Sequence, residues 1–156
     1  MQINILKSET NTHQTYTIED KEITLLNALT HIKATQDATL TFSAGCRASV
    51  CGTCAVRVNG KEELACAYKI KDGDVVEPLQ YHPVLRDLKV DKNRAKETLL
   101  KSTAWLHNTQ EATLTPKDEK LTEKQTDCIL CDSCYSACPV YAVNPEFLGP
   151  FALTRA

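Results

Sequence analysis

The chain has 156 residues, of which 42% are hydrophobic and 24% charged, with a formal net charge of −2 and eight cysteines. That balance is ordinary for a globular chain, excludes a disordered segment and gives no footing for nucleic acid. No stretch approaches the ~20 apolar residues of a membrane span, and the polar opening MQINILKSETNTHQ lacks a signal-peptide pattern, so the expectation is a chain that reaches a membrane only through a partner.

Residues Ile3 to Leu6 and Tyr16 to Ile18 read as short strands separated by the polar SETNTHQ. Leu25, Leu26, Leu29 and Ile32 form a helical stripe, which predicts an amphipathic helix over Thr24 to Ala34. Thr39 to Phe42 alternates weakly and is predicted as another strand. A loop from Gly45 to Cys54 follows, carrying Cys46, Cys51 and Cys54. Next, Ala55 to Val58 and Lys61 to Ala65 flank Asn59-Gly60, a pair that favours a type I′ turn. Cys54 and Cys66 should therefore sit at the two open ends of one hairpin. Val75 and Val76, before Pro78, predict a last strand. Strands around one helix within residues 1–88 fit a β-grasp domain.

From Asp87 the texture changes. Leu88, Ala95, Leu99, Leu100 and Leu106 lie among Lys, Arg, Glu and Asn, which predicts helical structure. Thr115-Pro116 followed by Asp118 has the pattern of an N-cap, a first-position proline and an acid in the first turn. That helix should run toward Thr126 and deliver Cys128. The break falls near residues 84–94, which gives an α+β chain divided into 1–88 and 89–156.

All eight cysteines fall into two groups. Cys46, Cys51, Cys54 and Cys66 read C-x4-C-x2-C-x11-C, opening like the plant-type [2Fe–2S] signature. Cys128, Cys131, Cys134 and Cys138, followed by Pro139, read C-x2-C-x2-C-x3-C-P, the bacterial [4Fe–4S] spacing. A disulfide framework would need an exported chain and gives no reason for the C-x2-C steps. Zinc sites join two separated C-x2-C pairs, whereas here three cysteines crowd into one short run, twice. Two small domains have thin cores, and bound metal would staple them.

In the first loop, Gly45 and Gly52 are expected to permit tight turns that aim backbone N–H groups at the sulfurs. Arg47 either offsets cluster charge or pairs with a partner, or it is simply solvated. The second run is expected to form a short helical turn that Pro139 ends. In two-cluster ferredoxins the fourth cysteine of this spacing ligates the other cluster, so Cys138 either closes one cluster locally or serves another. His13, His31, His82 and His107 lie apart from the cysteine pairs and are read as structural or surface residues, not Rieske ligands. No Ser–His–Asp grouping, phosphate loop or paired carboxylates stand out, so no bond-making chemistry is expected of the chain itself.

The segments TLLNAL, LTFSAGCRASVCGTCAVRVNG, LAC, EPLQYHPVLRDL, CILCDSCYSACP and FLGPFAL together resemble the iron–sulfur subunit of succinate dehydrogenase and fumarate reductase. The resemblance spans nearly the whole chain. It implies a β-grasp [2Fe–2S] domain followed by an all-α ferredoxin domain, the latter incomplete here because the family's later cysteine run is not in the sequence. It implies [2Fe–2S] ligation by Cys46, Cys51, Cys54 and Cys66, and [4Fe–4S] ligation by Cys128, Cys131 and Cys134. Cys138 would go to a [3Fe–4S] cluster that the missing part would complete, so the chain resembles a truncated form or fragment of such a subunit. Also implied are an FAD-containing flavoprotein partner that interconverts succinate and fumarate, and a quinone-reactive membrane anchor on the cytoplasmic face of the inner membrane.

Ala142 and Val143 stand where many members carry two tryptophans, one of which lines the quinone pocket, so that contact does not transfer. A heterodisulfide-reductase-like partner is the alternative on that side. Electron transfer for another flavin dehydrogenase, one acting on glycolate or a disulfide, is the competing function. A cluster-based redox sensor would need a DNA-binding helix or basic patch that the sequence lacks, and a structural zinc protein would contain neither iron nor sulfide.

Overall fold

The computed structural model describes residues 1–20, 22–103, 105, 111, 113, 115–144 and 146–155. In chain order the first elements are β1 (Gln2–Lys7), β2 (Thr12–Thr17), α1 (Leu25–Thr35), β3 (Ala55–Val58), β4 (Lys61–Leu64) and β5 (Asp74–Glu77). They build a five-stranded sheet in the order β2-β1-β5-β3-β4. β1 lies parallel to β5 with Ile3 opposite Asp74, and the other neighbours are antiparallel. This is the expected β-grasp.

The helix α1 starts where its stripe predicted. Thr24 caps it in an extended conformation and its hydroxyl accepts from the Asn27 N–H. Its inner face buries Leu25, Leu26, Ala28, Leu29 and Ile32 in one core with Ile3, Ile5, Val56, Val58 and Val76. Truncating a fully buried leucine such as Leu29 to alanine would cost roughly 2–5 kcal/mol. Between β3 and β4, Asn59 and Gly60 both have positive φ (51° and 80°), the pair of conformations a type I′ turn needs.

Thr39 to Phe42 is not a strand. Its backbone groups have other partners: the Thr41 N–H donates to Asp87 Oδ2 at 2.9 Å, and the Thr41 carbonyl accepts from the Leu88 N–H. A side chain and a turn replace the ladder that a strand would require. Leu40 is fully buried there all the same.

Asp87 sits at the tip of a small hairpin, β6 (Val84–Arg86) and β7 (Lys89–Val90), which the sequence did not reveal. The tip tucks Leu88 into the first core, so Leu88 is not part of the helical stripe. Beyond β7 every described element is helical: α2 (Asn93–Lys101), α3 (Pro116–Thr126), α4 (Ser133–Ser136), α5 (Pro139–Val143) and α6 (Pro150–Arg155). A full capping box between Thr115 and Asp118 starts α3, as the Thr-Pro pattern indicated. Pro139 does not end a helix but opens α5 at its first turn, where a missing N–H costs nothing. Ala95 is buried, Leu100 is exposed, and Leu106, like His107, lies outside the described residues.

A second, aromatic core serves these helices. Tyr135 meets Tyr141 edge-on at 4.4 Å and Phe151 at 4.5 Å between ring centroids, an arrangement aromatic quadrupoles favour. The Arg94 guanidinium lies 3.7 Å over the Tyr141 ring, and the Tyr135 hydroxyl donates to the Leu148 carbonyl at 2.6 Å. Among the described residues no helix is long and apolar enough to cross a membrane.

The buried ion cluster under β1 yields the first prediction. Lys7 Nζ lies 2.9 Å from Asp37 Oδ2 and 3.1 Å from Asp87 Oδ2, with side chains 8%, 12% and 0% exposed. Burial alone would raise both acids. For Asp37, hydrogen bonds from Lys7, Thr39 and Tyr16 outweigh it; for Asp87, bonds from the Thr41 and Ser8 N–H groups and Lys7 do so. Both carboxyls are therefore held below the ordinary range. Such depressed carboxyls stabilise the native state above about pH 4 and lose that contribution as pH falls through their folded values. Lys7→Met should cost roughly 3–5 kcal/mol, because it leaves buried carboxylates uncompensated. Denaturant melts from pH 7 to pH 2 should show a steep acid loss in the parent chain and a flatter one in the variant.

Candidate iron–sulfur sites

The first cysteine group is gathered by a loop and a hairpin. Cys54 stands just before β3 and Cys66 just after β4, and the Ala65 N–H donates to the Cys54 carbonyl, so the two thiols meet at the open ends of the hairpin as the sequence predicted. The loop brings the other two. The Cys46 N–H points at Cys51 Sγ at 3.4 Å, and the Cys51 N–H at Cys46 Sγ at 3.3 Å. The N–H groups of Ala48 and Val50 also aim at Cys46 Sγ, both at 3.4 Å. Ser49 ties the loop to the hairpin: its N–H lies 3.3 Å from Cys66 Sγ and its hydroxyl 3.5 Å away.

This convergence depends on the backbone. Arg47 and Ser49 both adopt positive φ, 58° and 60°, as does Gly52 at 66°. Alternating handedness turns successive N–H groups to one side, forming a concavity suited to anions and iron–sulfur sites. The left-handed conformation costs a non-glycine residue about 1–2 kcal/mol, so Arg47 and Ser49 spend local stability on the site. Arg47 contributes through its backbone, with an exposed side chain. Sequence reasoning assigns the turning to the glycines and misses these two residues, since nothing in their side chains marks the conformation. Gly45 is needed for space instead: a Cβ there would lie 2.8 Å from Cys51 Sγ and 3.3 Å from Thr53 Oγ1.

The thiols are poised unequally. Cys51 is lowered to about 6 by hydrogen bonds from Thr53 and from the Cys46 and Thr53 backbone. Burial opposes Cys66, but Ser49 and Cys54 outweigh it and lower it. Cys54, the most buried of the four, is pushed up by burial. Anionic sulfur is thus favoured on the open side of the site, and water is kept from the inner side. All eight cysteines stand as free thiols, so the disulfide framework is not formed.

The second group runs from Cys128, after α3, through Cys131 and Cys134 to Cys138 at the start of α5. Leu130 and Asp132 both have positive φ, 52° and 67°, giving this run the same reversing backbone. Burial pushes the Cys134 thiol up to about 11, with the Phe151 N–H opposing and the nearby charges of Cys131, Cys128 and Asp132 adding to the rise. Cys138 packs with Cys128 against the aromatic core. Lys92 supports the run from outside, donating to the Cys131 carbonyl at 2.9 Å and pairing with Asp132 at 3.2 Å. Among the described residues no group of three or more His, Cys, Asp or Glu is gathered as a single ion requires, so the first group is recognised by spacing and backbone donors and the second by spacing. Of the histidines, His82 is buried with Nδ1 2.7 Å from the Gln80 carbonyl, and His13 and His31 are exposed.

The two cysteine loops touch. A Cβ on Gly52 would lie 2.6 Å from Cys131 Cβ and 2.7 Å from its Cα, so only glycine lets the backbones approach this closely.

The profile of the 2Fe–2S iron–sulfur cluster binding domain matches residues 2–97. Over 154 residues the chain is 39% identical to the fumarate reductase iron–sulfur subunit of Mycobacterium tuberculosis, covering 91% of this chain and 62% of that protein. It is also 39% identical over 165 residues to the 8-methylmenaquinol:fumarate reductase iron–sulfur subunit of Wolinella succinogenes (94% and 52% covered). A fumarate reductase (CoM/CoB) subunit of Methanothermobacter marburgensis is 36% identical over 141 residues (88% and 29%). The chain thus spans less than two thirds of these relatives' length. Among solved structures, a chain of the Mycobacterium smegmatis Sdh1 complex in the apo form superposes with a TM-score of 0.83 at 23% identity, covering 96% of this chain and 70% of that one, which establishes the shared fold.

Gly45→Ala should displace Cys51 Sγ without removing any cysteine. Disturbing the support of a metal site typically costs 10–100-fold in affinity, so iron retention by the first group should fall roughly tenfold or more. Iron and acid-labile sulfide per chain, measured after timed chelator challenge, check this.

Proposed function

Because the chain belongs to the family of 2Fe–2S iron–sulfur cluster binding domains, whose members similar to it include iron–sulfur subunits of fumarate reductase, we propose that it relays electrons as part of a succinate/fumarate oxidoreductase. The observation that carries this reading is the backbone cage around Cys46, Cys51 and Cys66, set directly against a second cysteine run. Cys46, Cys51, Cys54 and Cys66 hold a [2Fe–2S] cluster within a domain of residues 1–88. Cys128, Cys131 and Cys134 hold a [4Fe–4S] cluster within an all-α ferredoxin-type domain of residues 89–156. Cys138, the residue before α5, serves a [3Fe–4S] cluster or closes the second cluster locally.

Bound at these thiolates, iron–sulfur clusters supply one-electron redox centres. The chain's own residues do the rest. The N–H groups of Cys46, Ala48, Ser49, Val50 and Cys51 hold negative charge on the sulfurs, and the core behind Cys54 excludes water, which together set the potential. No side chain is asked to move a proton or to form a bond. The catalytic dicarboxylate chemistry belongs to an FAD-containing flavoprotein partner, and a membrane-anchor subunit receives or supplies the electrons on the far side.

A second reading of that far side rests on one residue. Val143, which with Ala142 stands where many members of the resembling family carry two tryptophans, is 82% exposed. A heterodisulfide-reductase-like partner in place of a quinone-binding anchor fits this surface, and the relative named for CoM/CoB gives it support.

Co-purification with a flavoprotein, and reduction of the complex by succinate but not by glycolate, tests the function. Cys66→Ser should abolish the one-electron [2Fe–2S] EPR signal of the reduced chain, and Cys134→Ser should leave it intact. The opposite pattern would overturn the ligand assignment, and zinc without iron or sulfide would overturn the function.

A further inference from the structure

Resting on the two-centre reading above, we infer that Gly52 and the Ser136–Glu62 hydrogen bond are positioning elements that fix the spacing between the two cysteine sites. Three observations converge on this junction. Gly52 lies between Cys51 and Cys54 with φ 66°, and its missing side chain is the space that the Cys131 backbone occupies. Ser136 lies between Cys134 and Cys138 and is 1% exposed. Its hydroxyl donates to Glu62 Oε1 on β4 at 2.8 Å, and its oxygen accepts the Gln80 N–H at 2.8 Å.

Glu62 is itself held. Arg57 on β3, its cross-strand partner, places Nε 3.3 Å from Glu62 Oε1 and Nη1 3.4 Å from Glu77 Oε2 on β5. The second cysteine run is therefore pinned to the hairpin that carries Cys54 and Cys66, through one buried hydroxyl and one buttressed carboxylate. A hydroxyl buried this deeply must be partnered to be tolerated, and here both partners come from residues before Leu88.

The spacing matters because electron tunnelling falls exponentially with distance. One electron leaves one centre, which is oxidised, and enters the other, which is reduced; no proton or bond changes place. None of Gly52, Ser136 and Glu62 is a ligand, so each acts only on geometry. Ser136→Ala leaves the Glu62 carboxylate and the Gln80 N–H without their shared partner, and Gly52→Ala drives a methyl group into Cys131. Either change separates the two loops.

The test uses the full chain loaded at both sites. In the unaltered protein the EPR signal of the first centre should relax faster when the second centre is paramagnetic, through dipolar coupling. Ser136→Ala should keep iron and sulfide at both sites and lose part of that enhancement; Gly52→Ala, read only on chains with both sites filled, should lose it as well. Glu62→Gln, which retains an acceptor for the Ser136 hydroxyl, should keep it, whereas Glu62→Ala should not. Unchanged enhancement in both Ser136→Ala and Gly52→Ala, with both sites filled, overturns the inference. If the unaltered chain binds iron at the first site alone, Cys138 does not close the second cluster locally, and the two-centre reading and this inference with it fail for this chain.

Discussion

Bringing four cysteine sulfurs together is an electrostatic problem once any of them ionises, and the first half of the chain is arranged around its solution. Like charges at close range repel strongly wherever water is excluded. Arg47 lends the loop a positive φ while its side chain is exposed. The molecule answers with N–H dipoles, which need a loop of irregular handedness. Such a loop has no stability of its own, so it is hung between α1 and a sheet that do. The β3–β4 hairpin then supplies the remaining two sulfurs from a rigid frame.

The same logic repeats in the second half with a different scaffold. Leu130 and Asp132 reverse the chain between the cysteines, and three packed aromatic rings take the place of the sheet. Lys92 reaches the Cys131 carbonyl and Asp132 from just before α2. In both halves the cysteines sit on or beside loops and their supports on regular elements, a division that lets a strained loop persist because its frame is not strained.

What the sequence makes legible follows from which forces leave a pattern in residue types. The stripe of Leu25, Leu26, Leu29 and Ile32, the Asn59-Gly60 turn and the Thr115-Asp118 cap are short-range rules written in neighbouring side chains, and each appears where expected. The cysteine groups are visible because metal chemistry demands a residue type at a spacing. Positive φ at Arg47 and Ser49 leaves no such trace. The failure at Thr39 to Phe42 has the opposite cause: its alternation is real, but the Asp87 carboxylate, distant in sequence, takes the N–H that a ladder would have used. Pro139 is ambiguous because proline both stops one helix and starts the next. The contact of Gly52 with Cys131 is tertiary and has no local signature at all.

The parallel pairing of β1 with β5 also orders events in time. β1 cannot find β5 until the whole intervening chain has been made and gathered, and such non-local pairings form late. The β3–β4 hairpin closes across a two-residue turn, on the order of microseconds. Cys54 and Cys66 therefore need only the hairpin, and not the parallel pairing, to be brought together. Once the loop closes over them, its donors lower the Cys51 thiol, so this exposed sulfur ionises more readily, and the thiolate is the form that oxidants attack. The dipoles that ready the loop for iron thus also ready it for oxygen while it stands empty. Prompt delivery of iron and sulfide protects the newly folded chain as much as it completes a redox centre.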